Sequence, residues 1–249
     1  ALPGAGKGKP TPTATRCGSA SATTIAVASR DPKMVAQAST FLKEAIKLAM
    51  SSPSPDMTSF EARASLLLAD QQLEAAVAVR FPSDLDFSPE RQRTKEASLK
   101  KFNDFVQTRT RLGASAQQAY QRILALKDPS MAIAATQRMG MLPQAFAIEL
   151  ETGEIPKDVR TGPYAKDKVE AFCDKLTETA EPLVKQAITA FDGCLAKASQ
   201  LGIRNESTRA CARERAALGP TTFPLTAELL PDAPLALPVF DELPLLADP

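Results

Sequence analysis

Proline placement constrains this chain more than any other feature. Of its 20 prolines, seven fall after Gly219, at Pro220, Pro224, Pro231, Pro234, Pro238, Pro244 and Pro249. At that density neither a helix interior nor a central strand can form. Three others follow a capping side chain directly, in Asp31-Pro32, Ser88-Pro89 and Asp128-Pro129. That pair of residues starts an α-helix. The side-chain oxygen accepts from the free amides of the first turn, and proline sits where no amide is needed. Asn205, shortly after Gly202, offers a fourth cap. Residues 1–30 are mostly Gly, Pro, Ser, Thr and Ala, a composition that cannot bury a core. They read as a flexible arm, residues 31–219 as a folded helical domain, and residues 220–249 as an extended Pro/Leu-rich acidic tail.

Within the domain the apolar residues recur at helical spacing. Met34, Ala38, Phe41, Leu42, Ala45, Leu48 and Ala49 make one stripe after Asp31. A second helix is expected from about Phe60 to Arg80, with Ala64, Leu67, Leu68 and Leu73 inward. A third runs from Pro89 to about Leu126, broken at Gly113, with Leu99, Phe102 and Val106 lining its first half. A fourth runs from Pro129 to about Leu150 with a bend at Pro143, followed by the turn-rich linker ETGEIPKDVRTGP. A fifth spans Tyr164 to Leu201, kinked or divided at Pro182, and a sixth spans Glu206 to Leu218. No segment alternates as a strand would. The fold class is all-α.

Composition then narrows the chemistry. The 249 residues contain no histidine, which excludes Ser-His-Asp and Cys-His nucleophile systems and any His-ligated metal. A formal charge of +1 gives no electrostatic footprint for nucleic acid. Without tryptophan and with two tyrosines, base-stacking and carbohydrate platforms are not expected. No cofactor or metal is called for, and the reading is non-enzymatic. No run is long and apolar enough to span a membrane. The chain opens ALPGAGKGKP rather than with Met, as expected once a signal peptide has been removed; a trimmed boundary is the alternative.

None of the four cysteines forms a CxxC pair, so a zinc site is not indicated. Cys194 lies nine residues before Ile203 and Cys211 eight after it. In a hairpin turning at Ile203 the two face each other at one level, within disulfide reach. A bridge is the reading for an exported chain, and two packed thiols are the alternative. Cys17 and Cys173 are left either as thiols or as a second bridge that would pin the arm.

An internal spacing carries the argument further. Ala187-Ile188-x-x-Phe191-x-x-Cys194-Leu195 alternates small and aromatic residues as a helix nested in a hairpin does. Ala116-x-x-x-Tyr120-x-x-Ile123-Leu124 repeats the pattern, and Ala38-x-x-x-Leu42-x-x-Ala45-Ile46 is a weaker copy. Starts at 38, 116 and 187 lie 78 and 71 residues apart, about twice a 34-residue hairpin period. These segments resemble the second helix of a tetratricopeptide repeat. Met139-Gly140 and Leu68-Ala69 resemble the large-small pair of its first helix. From Phe60 to Leu229 the chain looks similar to envelope repeat proteins of gliding myxobacteria. That likeness is carried by Asp128-Pro129-Ser130-Met131-Ala132-Ile133-Ala134-Ala135, Arg138-Met139-Gly140, the Ala187 to Leu195 pattern, Asn205-Glu206 and Phe223-Pro224-x-x-x-Glu228. It departs at Met131 and Pro143, where the family favours aromatic residues.

The resemblance implies a TPR-like solenoid of helical hairpins with elongated helices. It implies a protein–protein interaction scaffold in the periplasm, a subunit of a gliding-motility complex whose partners are other envelope proteins, among them outer-membrane β-barrels. Carried onto this chain, the concave binding face comprises Arg63, Leu66, Asp70, Leu73 and Glu74, with Gln137, Met141 and Gln144 from the fourth helix. The alternative is a periplasmic carrier of a small ligand or lipid, with a cavity between the long helices. The run Arg91, Arg93, Lys95, Lys100, Lys101, Arg109 and Arg111 reads as a solvated face rather than a phosphate site, because Glu90, Glu96 and Asp104 intersperse it. Met34, Met131, Met139 and Met141 read as core filling. The glycines of Gly4-x-Gly6-x-Gly8-Lys9 lack the strand and helix of a phosphate loop. In the tail, Phe223 to Leu230 is expected to cap the stack. Leu235, Leu237, Val239, Phe240, Leu243, Leu245 and Leu246 are left as an acidic, apolar docking strip.

Overall fold

The central helix of the described residues is apolar almost all round, and four other helices gather on it. The computed structural model describes residues 15–18, 30–52, 54–219 and 222. Among them are α1 (Pro32–Ser51), α2 (Pro55–Ala78), α3 (Gln92–Ala125), α4 (Pro129–Glu151), α5 (Lys157–Arg160), α6 (Ala165–Leu201) and α7 (Glu206–Leu218), with no strand beyond one isolated bridge. Fourteen of the 23 residues of α4 are buried. A helix with that little polar surface has to be surrounded. Accordingly α4 contacts α2, α3, α6 and α7, while α1 contacts only α2 among the described helices. The all-α reading holds.

Local chemistry sets most helix starts. Asp31 accepts from the Lys33 amide at 2.9 Å, Asp128 from Met131 at 2.8 Å and Asn205 from Thr208 at 3.0 Å. Each oxygen satisfies an amide that the first turn leaves free. Gly202 ends α6 at φ +65°, a conformation glycine adopts without strain. Ser54-Pro55, unforeseen, starts α2 by the same chemistry, with the Ser54 hydroxyl accepting from Met57 at 3.2 Å. Ser88-Pro89 does not start α3. The Ser88 amide is bound to Asp86 and its hydroxyl to Arg91, so the helix begins at Gln92, after a turn closed from Arg91 to the Ser88 carbonyl.

Gly113 does not break α3, and Pro143 and Pro182 lie inside α4 and α6, which run through them. Long helices tolerate such residues when tertiary contacts on both sides hold the adjacent turns in place. The linker contains the single-turn α5.

Three apolar clusters fill the domain. The first lies between α2, α3 and α4 around Tyr120 and Ile123. The second joins α3, α4 and α6 around Leu150 and Val169 and includes Cys17. The third lies between α4, α6 and α7 around Ile133, Phe191 and Cys194. Several expected core residues are not in them. Met34, Phe41 and Leu48 stand largely in solvent, and of α1 only Ala49 is buried. Among the described helices α2 is the one neighbour of α1, which therefore has one covered side. Leu67 and Leu99 are also exposed, whereas Met131, Met139 and Met141 pack against the clusters as expected. The arm is partly fixed. The Cys17 amide donates to Gly153 and the Ile155 amide to Thr15, each at 2.9 Å. The docking strip from Leu235 to Leu246 and the cap from Phe223 to Leu230 lie outside the described residues.

Candidate functional site

The residues assigned to the concave face come together only in part. Asp70 of α2 accepts from the Tyr120 hydroxyl at 2.7 Å and pairs with Arg138 Nε of α4 at 3.2 Å. Arg138 donates to the Gln137 side-chain oxygen, and Gln137 donates to Met141 Sδ at 2.9 Å. Asp70, Arg138, Gln137 and Met141 therefore form one chain of contacts between α2 and α4, with Tyr120 of α3 joined to it at Asp70. Glu74 pairs with Arg30 at 2.7 Å, Leu66 packs against the first cluster, and Arg63 is exposed. Three assignments are corrected by burial. Leu73 is 5% exposed and Gln137 and Gln144 are 4% exposed, and the Gln144 amide donates to Glu214 at 2.6 Å. Wedged between α4 and its neighbours, these side chains offer a partner no surface.

The most unusual polar group in the domain came from the basic run on α3. Arg109, read as part of a solvated face, is 3% exposed. It follows the buried Phe105 by four residues and precedes the buried Ala116 by seven, so helix geometry turns it inward. That phase was the available signal, and the surrounding charges masked it. Its Nη1 donates to the carbonyls of Ala76 and, at 3.0 Å, Val79, where α2 ends. The Ala76 carbonyl otherwise accepts the long 3.4 Å bond from the Val79 amide that closes α2, so the guanidinium adds a cap to that helix end. Its Cζ sits 5.7 Å from the Phe146 ring centroid, within cation–π range. Nη2 is buried with no acceptor among the described residues. Burial pushes the guanidinium down to about 10, with Glu149 opposing and Arg80 adding to the shift. It stays charged at neutral pH.

Arg109 lines a cleft of about 180 Å³ between α2, α3, α4 and α6. Leu142, Pro143, Phe146 and Leu183 supply apolar walls, and Thr110, Gln117 and Gln186 supply polar groups. Gly113 leaves the space open, since a β-carbon there would meet nothing within 4 Å. The carboxylate whose charge acts on Arg109, Glu149, is already engaged: Arg80 pairs with one of its oxygens, and the Phe81 amide donates to the other at 3.0 Å.

Both pairs of cysteines are bridged. Cys194 and Cys211 have α-carbons 6.5 Å apart across the α6–α7 hairpin, as the turn at Ile203 required. Cys17 and Cys173, whose pairing the sequence left open, have α-carbons 5.5 Å apart. This second bridge ties the arm to α6. Disulfides of this kind persist in oxidising compartments. No helix among the described residues is long and apolar enough to cross a membrane. No protein-family model, curated protein or solved structure matches this chain.

Proposed function

We propose that this chain is a non-catalytic binding protein, built as a short stack of helical hairpins and working in an oxidising compartment of the cell envelope. The carrying observation is the order of helix contacts. In a stack of two-helix repeats, each first helix touches its own second helix and the first helix of the next repeat. With α2, α4 and α7 as first helices and α3 and α6 as second helices, the required neighbours are α2–α3, α4–α6, α2–α4 and α4–α7, and each of these pairs is in contact. A second support is register. Leu68-Ala69 and Met139-Gly140 are 71 residues apart, and so are Tyr120 and Phe191. Ala69 shares a cluster with Tyr120, while Gly140 lies against Phe191. Equal displacement of both members of a helix–helix contact is what a repeated hairpin produces.

In its finest form the reading is a periplasmic subunit of a gliding-motility complex beside outer-membrane β-barrel proteins. Its support is the residue pattern of Asp128 to Ala135, Arg138 to Gly140 and Ala187 to Leu195. The carrier alternative has less support: the cleft at Arg109 holds about 180 Å³, and the larger hollow, about 330 Å³, is lined by Asp56, Ser59, Phe60 and Arg63, all on α2 rather than between long helices. Affinity capture from the native envelope, with mass spectrometry, tests the proposal. Envelope proteins recovered reproducibly, and lost on competition with untagged protein, are the expected result. Recovery of cytosolic proteins alone overturns it.

A further inference from the structure

We infer that the cleft at Arg109 binds a small organic monocarboxylate with an aromatic or short branched body. The inference stands apart from the repeat reading, since it concerns one cleft and survives whatever the stack binds elsewhere. Its basis is an unbalanced charge. Arg109 is 3% exposed and makes no ion pair among the described residues, only hydrogen bonds to two carbonyls through Nη1. Nη2 is left with nothing to donate to. A buried cation without a counter-ion is costly, and an anion held in the cleft that Arg109 lines lowers that cost through its charge. Among the described residues no carboxylate supplies that anion. Glu149 is shared between Arg80 and the Phe81 amide, so Arg80, Arg109 and Glu149 together carry one excess positive charge.

The rest of the cleft selects the class of anion. One uncompensated cation suits a singly charged group and leaves a phosphate dianion under-neutralised. The walls of Leu142, Pro143, Phe146 and Leu183 call for an apolar body. The volume, about 180 Å³, is that of a single ring with a small substituent: an apolar cavity of about 150 Å³ holds benzene. Gly113 has a use here that its place inside an unbroken helix otherwise lacks. Any side chain at that position would project into open space beside the cleft.

Calorimetric titration of the full chain, disulfides intact, tests this with benzoate, benzamide and inorganic phosphate as probes. Benzoate is expected to saturate one site with Kd below about 1 mM, with benzamide about tenfold weaker and phosphate showing no saturation. Gly113→Leu fills the cleft and is expected to weaken benzoate about tenfold or more, with an unfolding temperature at or above that of the parent. In the parent protein, benzoate should shift NMR signals of the Gly113 amide and the Phe146 ring, a readout that does not depend on the variant folding. Absence of saturable benzoate binding up to about 10 mM overturns the inference, as does equal affinity for benzamide. Undiminished binding by folded Gly113→Leu, or NMR shifts confined to other residues, does the same.

Discussion

The ring of Phe191 in α6 lies so close over Gly140 in α4 that a β-carbon on residue 140 would stand 2.6 Å from Phe191 Cε1. Phe191 is fully buried and has nowhere to swing. Gly140→Ala gains about 1 kcal/mol of helix propensity and incurs about 1–3 kcal/mol of overpacking. The expected net effect is a loss of up to about 2 kcal/mol in urea unfolding. Gly113→Ala is the control. Nothing lies within 4 Å of its β-carbon, so the propensity gain should appear alone, raising stability by about 1 kcal/mol. Equal effects at the two glycines would contradict the packing described.

Tyr120 ties α3 to α2 through one polar contact in a fully buried position, its hydroxyl donating to Asp70 at 2.7 Å. Burial, with Asp70 beside it, holds the phenol well above its ordinary pKa, so it stays protonated and keeps donating. Tyr120→Phe keeps the ring and removes the donor. Asp70 retains Arg138, so the loss should be modest, about 1–2 kcal/mol by denaturant unfolding. A neutral result would mean that the contact does not hold α2 in place.

Glu151 at the end of α4 is 5% exposed, and its Oε2 has no hydrogen-bond partner among the described residues. Burial raises its pKa from 4.5 to about 7. The folded state thus holds its proton more tightly than the unfolded chain does. The stabilisation from that proton is fully present below about pH 4.5 and is lost as pH rises through about 7. Glu151→Gln should therefore gain stability relative to the parent on going from pH 5 to pH 8, by on the order of 2 kcal/mol. Unfolding curves of the two proteins at both pH values measure this. A parallel pH dependence would place Glu151 in contact with water.

The bridges close loops of very different size, with sequence separations of 17 for Cys194–Cys211 and 156 for Cys17–Cys173. Chain entropy assigns them about 3 and about 5 kcal/mol respectively. Replacing Cys17 and Cys173 together by Ala should be the more damaging change and should open residues 15–18 to proteolysis. Thiol labelling of the unreduced parent should modify none of the four cysteines. Labelling of Cys194 and Cys211 without reductant would remove the main support for an oxidising compartment.

Asp31, Asp128 and Asn205 were legible as caps because a cap is settled within one turn, between a side-chain oxygen and an amide two or three residues on. Cys194 and Cys211 were legible for a related reason. Their spacing about Ile203 fixes their level in a hairpin without reference to the rest of the chain. Ser88 has the same local pattern as Asp31, but the neighbouring carboxylate of Asp86 took its amide.

What the sequence by itself determined is the helical class, most helix ends and one disulfide, all products of interactions within a turn or across one hairpin. Only the tertiary structure decided which faces are covered. Met34, Phe41 and Leu48 have the period of a core stripe and are exposed, because α1 has one neighbour among the described helices. Arg109 sits in a run of surface charges and is buried, because the open end of α2 lies against that turn of α3. Cys17 reaches Cys173 because the arm pairs with Gly153 and Ile155, which no local pattern marks. Periodicity gives each side chain a direction, and burial then depends on which elements stand in that direction, a property of the assembled helices.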